Sequence, residues 1–361
     1  MDSKAQRTSE IEAFRAAAGW SKARLSWLGQ DASTRRYARL QHGDTSVLLM
    51  DAPPTEPEPC KPGMSDAERE AAGWNAVSRL AASRVEAFYL IAKHLRSLGL
   101  KAPKIYAHDS EKGFAIIEDF GDGREFARLI ERGLADEKIL YTKAAETLAY
   151  LHSQRVPEQL EAGQETWSIL PFDDLALRAN ADLFVEWLPQ YDKRMRLTPK
   201  TREDWERARD ALIEKAASFP RAFTLRDYHA ENLLWLPDGK VGLLDFQDAV
   251  FGWDAWDMAM LTQDARRDVS PAAESAAIRA YLDGTGRAET AFRERLAVIG
   301  TLNALRIVGI FARLVTRDNK PRYRQFMQRQ QRLLASNLAH PAAAQMANFV
   351  RNVAPFILEP G

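Results

Sequence analysis

Three oxygen-bearing side chains carry the chemistry this sequence offers. Asp227 and Asn232 follow Arg226 in the spacing R-D-x-x-x-x-N, and Asp245 opens a D-F pair after an apolar run. A carboxylate can align a hydroxyl and take its proton, a role for which Asp227 is the candidate catalytic group. The amide oxygen of Asn232 and the carboxylate of Asp245 form a partial oxygen cage for Mg2+, with room left for water and phosphate oxygens. Together they suit phosphoryl transfer from a magnesium-bound nucleotide to an acceptor hydroxyl.

The elements that must position them follow from pattern. Residues 233–244 read as two apolar strands around Pro237, Asp238, Gly239 and Lys240, and Asp-Gly between apolar runs signals a hairpin. The midpoint of 232 and 245 falls between Asp238 and Gly239, so Asn232 and Asp245 are expected to meet at the open end. Ser9 and Glu12 predict a capping box for a short helix over 10–18, followed by strands near 24–29, 36–40 and 46–51. Between the first two strands, residues 29–34 form a loop whose amides and the hydroxyls of Ser33 and Thr34 suit a phosphate nest. Five prolines within 53–62 forbid helix and predict an extended loop, a candidate lid. A helix over 84–98 stopping at Gly99, two strands at 104–108 and 114–118, and helices over 140–151, 204–219 and from 252 onward complete the outline.

Composition narrows the field. The chain has 361 residues, enough for one two-lobed enzyme or two small domains. Its 50 basic and 50 acidic residues balance, which argues against nucleic acid as a partner. Cys60 is the only cysteine, so no intrachain disulfide forms, and the N-terminal residues are charged where a signal peptide is apolar; both predict a cytoplasmic location. No apolar run approaches the roughly 18 residues of a membrane span, residues 307–315 being interrupted by Arg313, so no membrane partner is expected. Walker, G-x-S-x-G, H-E-x-x-H and paired C-x-x-C motifs are absent.

With these residues in view, most of the chain resembles the aminoglycoside phosphotransferase family, a small-molecule branch of the protein-kinase-like fold. More narrowly it is similar to bacterial anomeric amino-sugar kinases that phosphorylate N-acetylmuramate and N-acetylglucosamine in cell-wall recycling. The matching blocks are 31–37, 50–54, 118–122, the catalytic segment, 245–250 and 309–314. The resemblance implies an α+β, two-lobed fold: an antiparallel-sheet N-lobe over 1–121 that binds nucleotide, and a mainly helical C-lobe over 122–361 that binds acceptor. It implies ATP and Mg2+, a hinge at Glu118-Asp119-Phe120 that reads adenine through backbone groups, and Asp257 as a brace beneath the catalytic loop. Two departures stand out. Leu225 occupies the place of a usual His, and the strand at 46–51 lacks the usual phosphate-binding Lys, so that Arg35, Arg36 or Arg39 is the candidate replacement. Glu86, the helix carboxylate that would pair with that Lys, is expected to be solvated.

The acceptor is expected to be a small molecule. Residues 264–335 carry 14 Lys and Arg against 7 Asp and Glu, a basic excess suited to an anionic or neutral amino sugar rather than a polycation. Arg306, Arg313 and Arg317 recur at intervals of seven and four, which puts them on one helix face. His229, inside the catalytic segment, is assigned to substrate contact with Arg306 and Arg313. Phosphorylation of an aminoglycoside, choline-like or homoserine-like acceptor, and a nucleotide-binding pseudokinase that serves as an interaction module, are the alternatives.

Overall fold

Side-chain alternation builds the first layer. A computed structural model describes residues 3–29, 35–54 and 57–359. Helix α1 (Ser3–Ala17) precedes β1 (Arg24–Trp27), β2 (Arg36–His42) and β3 (Thr45–Asp51). After α2 (Asp66–Ala72), a π-helical turn (Asn75–Arg79) and α3 (Val85–Ser97), strands β4 (Ile105–Asp109) and β5 (Phe114–Glu118) complete an antiparallel sheet of order β1-β2-β3-β5-β4. Successive side chains point to opposite faces. Val47, Leu49, Phe114 and Ile116 therefore bury against Ile11 and Phe14 of α1, while Met50, Ala115 and Ile117 join the main core with Phe88 and Ile91 of α3.

The second lobe is mainly helical. It holds α4 (Phe126–Glu131), α5 (Glu137–Ser153), the hairpin β6 (Gln159–Ala162) and β7 (Glu165–Ser168), α6 (Asp174–Tyr191) and α7 (Pro199–Ala217). Four short strands follow: β8 (Arg221–Thr224), β9 (Leu233–Trp235), β10 (Val241–Leu243) and β11 (Val250–Trp253). Helices α8 (Trp256–Thr262), α9 (Pro271–Thr285), α10 (Glu289–Thr316), α11 (Arg324–Leu338) and α12 (Ala344–Val353) close the chain. Because β8 pairs antiparallel with β11 and β9 with β10, the loops after β8 and β10 are brought to the same end of these ladders.

Four expectations change. Helix α1 begins at Ser3, so Ser9 lies inside it and caps nothing. Gly252 and Trp253 belong to β11, and the helix starts only at Trp256. The hairpin register is one residue off: Leu243 faces Leu233, and the Leu244 N–H donates to the Asn232 carbonyl at 3.0 Å. The cause is the turn, where Leu236 N–H donates to Lys240 at 3.0 Å, leaving a three-residue loop with Gly239 at φ +72°. Helix α10 contains an 18-residue stretch long and apolar enough to cross a membrane, contrary to the sequence estimate; 78% of that stretch is buried within the fold. It crosses α6 so closely that a Cβ on Gly309 would lie 2.3 Å from the backbone of Leu183.

Candidate active site

The loop that carries Asp227 is held from below. Asp257, fully buried in the first turn of α8, accepts the N–H of Leu225 at 2.7 Å and of Arg226 at 2.8 Å. Arg226 adopts φ +74°, a conformation costly for a residue with a side chain. Neighbours fix it there: its guanidinium lies 4.7 Å from the Phe172 ring and donates to the Arg79 carbonyl of the π-helical turn, while Trp256 Nε1 donates to its carbonyl at 3.4 Å. Leu225, in place of a His, is buried and apolar, so the brace comes from Asp257.

The loop aims its polar groups into a cavity of about 700 Å³ between the lobes. Asp227, Asn232 and Asp245 all line it. The Asp227 carboxylate has no hydrogen-bond partner among the described residues. Asn232 Nδ2 donates to the Asp227 carbonyl at 3.0 Å, so the amide oxygen is the atom it could offer a cation. Asp245, at φ +56°, turns out of the hairpin; its Oδ1 accepts from Arg35 and, at 3.0 Å, from Gln247. Burial and the Asp245 charge push Asp227 above the usual carboxylate range. Burial also opposes ionisation of Asp245, but Arg35 outweighs it and holds this group below that range. The environments thus separate the two carboxylates into a group able to take a proton and a standing anion.

A set of oxygen donors with one firm negative charge fits Mg2+, which is bound through one or two carboxylates plus waters and phosphates. Among the described residues no cluster of three or more His, Cys, Asp or Glu suited to a metal exists, so Asn232 and Asp245 would be its protein ligands.

The three candidate arginines part company. Arg35 is buried against Asp245 and Gln247, its Nη1 donating to Gln247 at 2.6 Å. Arg39 lines the cavity and pairs with Asp119 at 2.6 Å and Asp122 at 2.7 Å. Arg36 instead pairs with Asp51 and lies over Trp27 at 4.6 Å, away from the cavity. Ser33 and Thr34 lie outside the described residues. At the hinge, Glu118, Asp119 and Phe120 line the cavity, but the Glu118 N–H is taken by the Lys104 carbonyl at 2.8 Å and the Asp119 carboxylate by Arg39. Glu86 is paired with Arg84 at 2.7 Å and mostly buried, not solvated.

His229 is 4% exposed. Its Nε2 faces the guanidinium of Arg266 at 3.1 Å and the amide of Asn232 at 3.3 Å, both donors, which puts the proton on Nδ1. Burial and Arg266 lower its pKa. A neutral imidazole with Nε2 engaged and a buried, unpartnered Nδ1–H can donate to a ligand but is not a base. Arg306 and Arg313 of α10 also line the cavity, whereas Arg317 does not: it is more than half exposed and pairs with Asp318 at 2.6 Å. Sequence reasoning missed Trp74, Ser78, Arg79, Asn180, Gln247, Asp248 and Arg266 as lining residues. Gln247 and Asp248 stand next to the D-F pair and were findable; the first four come from the π-helical turn with its leading residue, and from α6, where no periodic pattern marks them.

Comparison with known proteins gives a family and a fold. A profile of the phosphotransferase enzyme family matches residues 25–293. The chain is 45% identical over 347 residues to the N-acetylmuramate/N-acetylglucosamine kinase of Caulobacter vibrioides, covering 94% of this chain and 95% of that one. It is 32% identical to the kinase of the same name from Pseudomonas aeruginosa, covering 85% and 82%. Among solved structures it is similar to a choline/ethanolamine kinase family protein from Mesorhizobium loti, with a TM-score of 0.58 at 17% identity over 96% of this chain and 99% of that one. An ADP-bound aminoglycoside phosphotransferase gives 0.55 at 13%, over 92% and 99%. At such identities the likeness is one of fold, the two-lobed protein-kinase-like architecture.

Proposed function

We propose for this chain, which belongs to the phosphotransferase enzyme family, that it transfers the γ-phosphoryl group of ATP to the anomeric hydroxyl of N-acetylmuramate or N-acetylglucosamine. It is a small-molecule kinase, and the sugar 1-phosphate is its product, as cell-wall recycling in the cytoplasm would need. The observation that carries the choice of acceptor is the Caulobacter relative, matched at 45% identity along nearly the whole of both chains. Arg306 and Arg313, which line the α10 end of the cavity, support it as donors to an anionic sugar.

The lobe boundary falls between residues 121 and 122 in this reading. Nucleotide lies at the hinge end of the cavity, against Leu48, Ile117 and Leu234, and the acceptor lies at the α10 end. Asp227 orients the hydroxyl and takes its proton as the oxygen attacks the γ-phosphorus, whose bond to the β–γ bridging oxygen breaks to release ADP. Mg2+ held by Asn232 and Asp245 would neutralise charge on the phosphate oxygens. Arg35 supplies the cation that the absent Lys would have brought, and Asp257 keeps Asp227 aligned through the backbone of Leu225 and Arg226. Positioning and charge compensation account for most of the rate in such transfers.

The test is phosphorus NMR of the purified chain with ATP, Mg2+ and each amino sugar in turn. An anomeric phosphate resonance is expected. Turnover of kanamycin-like or choline-like acceptors with neither amino sugar consumed would replace this acceptor assignment.

A further inference from the structure

The acceptor end of the cavity has two walls. One is the π-helical turn Asn75–Arg79 and its leading residue Trp74; π turns are rare and gather at functional sites. This winding sets Trp74, Ser78 and Arg79 on the cavity side together. Trp74 is 38% exposed and lines the cavity. Ser78 is 1% exposed, and its hydroxyl has no hydrogen-bond partner among the described residues. The other wall is α10, where Arg306, Ile310 and Arg313 line the cavity as one stripe at helical spacing.

The two arginines of that stripe differ in company. Arg306 interacts electrostatically with Asp227, and burial together with Arg226 lowers its pKa to about 10. It sits at the reacting end. Arg313 lies two helical turns away, about 10 Å along the axis at 1.5 Å per residue. Its guanidinium is 5.7 Å from the Trp74 ring, its Nε is buried without a hydrogen-bond partner, and no ion pair engages it among the described residues. Asp318 and Glu186 attract this half-buried guanidinium without forming an ion pair with it, which leaves its N–H groups for an anion in the cavity.

We propose that Trp74 and Arg313 form the specificity end of the acceptor site: the indole packs on the apolar C–H face of a pyranose, and Arg313 binds a carboxylate carried on the ring far from the reacting hydroxyl. Ser78 offers its hydroxyl to the sugar edge between them. Arg306, beside Asp227, serves the reacting end and reads no carboxylate. This assignment rests on the amino-sugar reading above. It makes Arg313, and not Arg306, the residue that separates N-acetylmuramate, which bears a lactyl carboxylate, from neutral N-acetylglucosamine.

The experiment is steady-state kinetics of the full chain with ATP on both sugars, for wild type, Arg313→Ala, Arg313→Lys, Arg306→Ala, Trp74→Ala and Trp74→Phe, with a thermal melt of each. Arg313→Ala is expected to cut kcat/KM on N-acetylmuramate about tenfold or more beyond its effect on N-acetylglucosamine, mainly through KM; Arg313→Lys recovers part of that preference. Arg306→Ala should lower kcat on both sugars alike. Trp74→Ala should raise both sugar KM values without raising that for ATP, and Trp74→Phe should restore most of the loss. Equal losses on both sugars with Arg313→Ala, or a preference lost with Arg306→Ala instead, overturn the assignment while leaving the amino-sugar reading intact. Wild-type protein that phosphorylates neither sugar overturns both.

Discussion

Asp227 and Asp245 face one cavity and are driven in opposite directions, the first toward holding a proton and the second toward keeping its charge. Replacing Asp227 by Asn removes the proton acceptor while keeping the shape. Asp227→Asn is expected to lower kcat by about a hundredfold or more, the range of general-base effects, with nucleotide affinity nearly unchanged by calorimetry. Retention of more than about a tenth of wild-type kcat would show that the base lies elsewhere. Asp257→Asn tests the brace. One carboxylate oxygen becomes a donor, so either the Leu225 or the Arg226 N–H loses its acceptor in a buried place; the expected cost is about 1–3 kcal/mol in urea unfolding, together with a fall in kcat. Unchanged stability would remove Asp257 from that role. At this scale the sequence was most legible where chemistry demands a residue type at a fixed spacing, as at Asp227, Asn232 and Asp245. It was least legible for arginines, because Arg35, Arg36 and Arg39 read alike and only the fold sends Arg36 to Asp51 and Arg35 to Asp245.

Elements written by a repeating pattern were readable, and those set by a local exception were not. The apolar runs of β3, β9 and β10 gave the strands. The three-residue turn shifted their register because a left-handed Gly239 shortens the connection by one residue, a conformation that composition cannot report. The π-helical turn Asn75–Arg79 matches neither the strand nor the α-helical period and escaped notice. Helix α10 carries both the core and the arginine stripe, and its approach to α6 depends on one missing side chain. Gly309→Ala puts a methyl 2.3 Å from the Leu183 backbone, which cannot yield as a flexible side chain would. A loss of about 1–3 kcal/mol or more in denaturant unfolding is expected, with lower activity through displaced Arg306 and Arg313. A stability equal to wild type would mean the crossing is looser than this geometry.

At the scale of the molecule, the ion pair of Arg35 with Asp245 joins the N-lobe sheet to the catalytic end of the C-lobe. A ligand that engages both lobes should therefore stabilise the whole chain by mass action, about 2.7 kcal/mol at a hundred times its dissociation constant. Mg·ATP is expected to raise the melting temperature of wild type and of Asp227→Asn, and to lose most of this effect in Asp245→Ala, which lacks the carboxylate proposed to hold the metal. A full shift in Asp245→Ala would place the metal on other residues. The two-lobed outline was implied by the family resemblance, and the strand-rich first third and helix-rich remainder were consistent with it. That α10 is a buried core helix was not, since its composition also suits a membrane and only the surrounding helices decide between the two.

The bond from the Arg226 guanidinium to the Arg79 carbonyl ties the wall that would choose the sugar to the loop that would activate it. Preference and turnover are consequently coupled at that turn: a change that reshapes it for a new acceptor also loosens the residue that precedes Asp227. Divergence toward other acceptors is easiest at Arg313 and Trp74, where the stripe and the indole can vary without moving that tie, and each step there leaves a working catalyst on which the next can be selected.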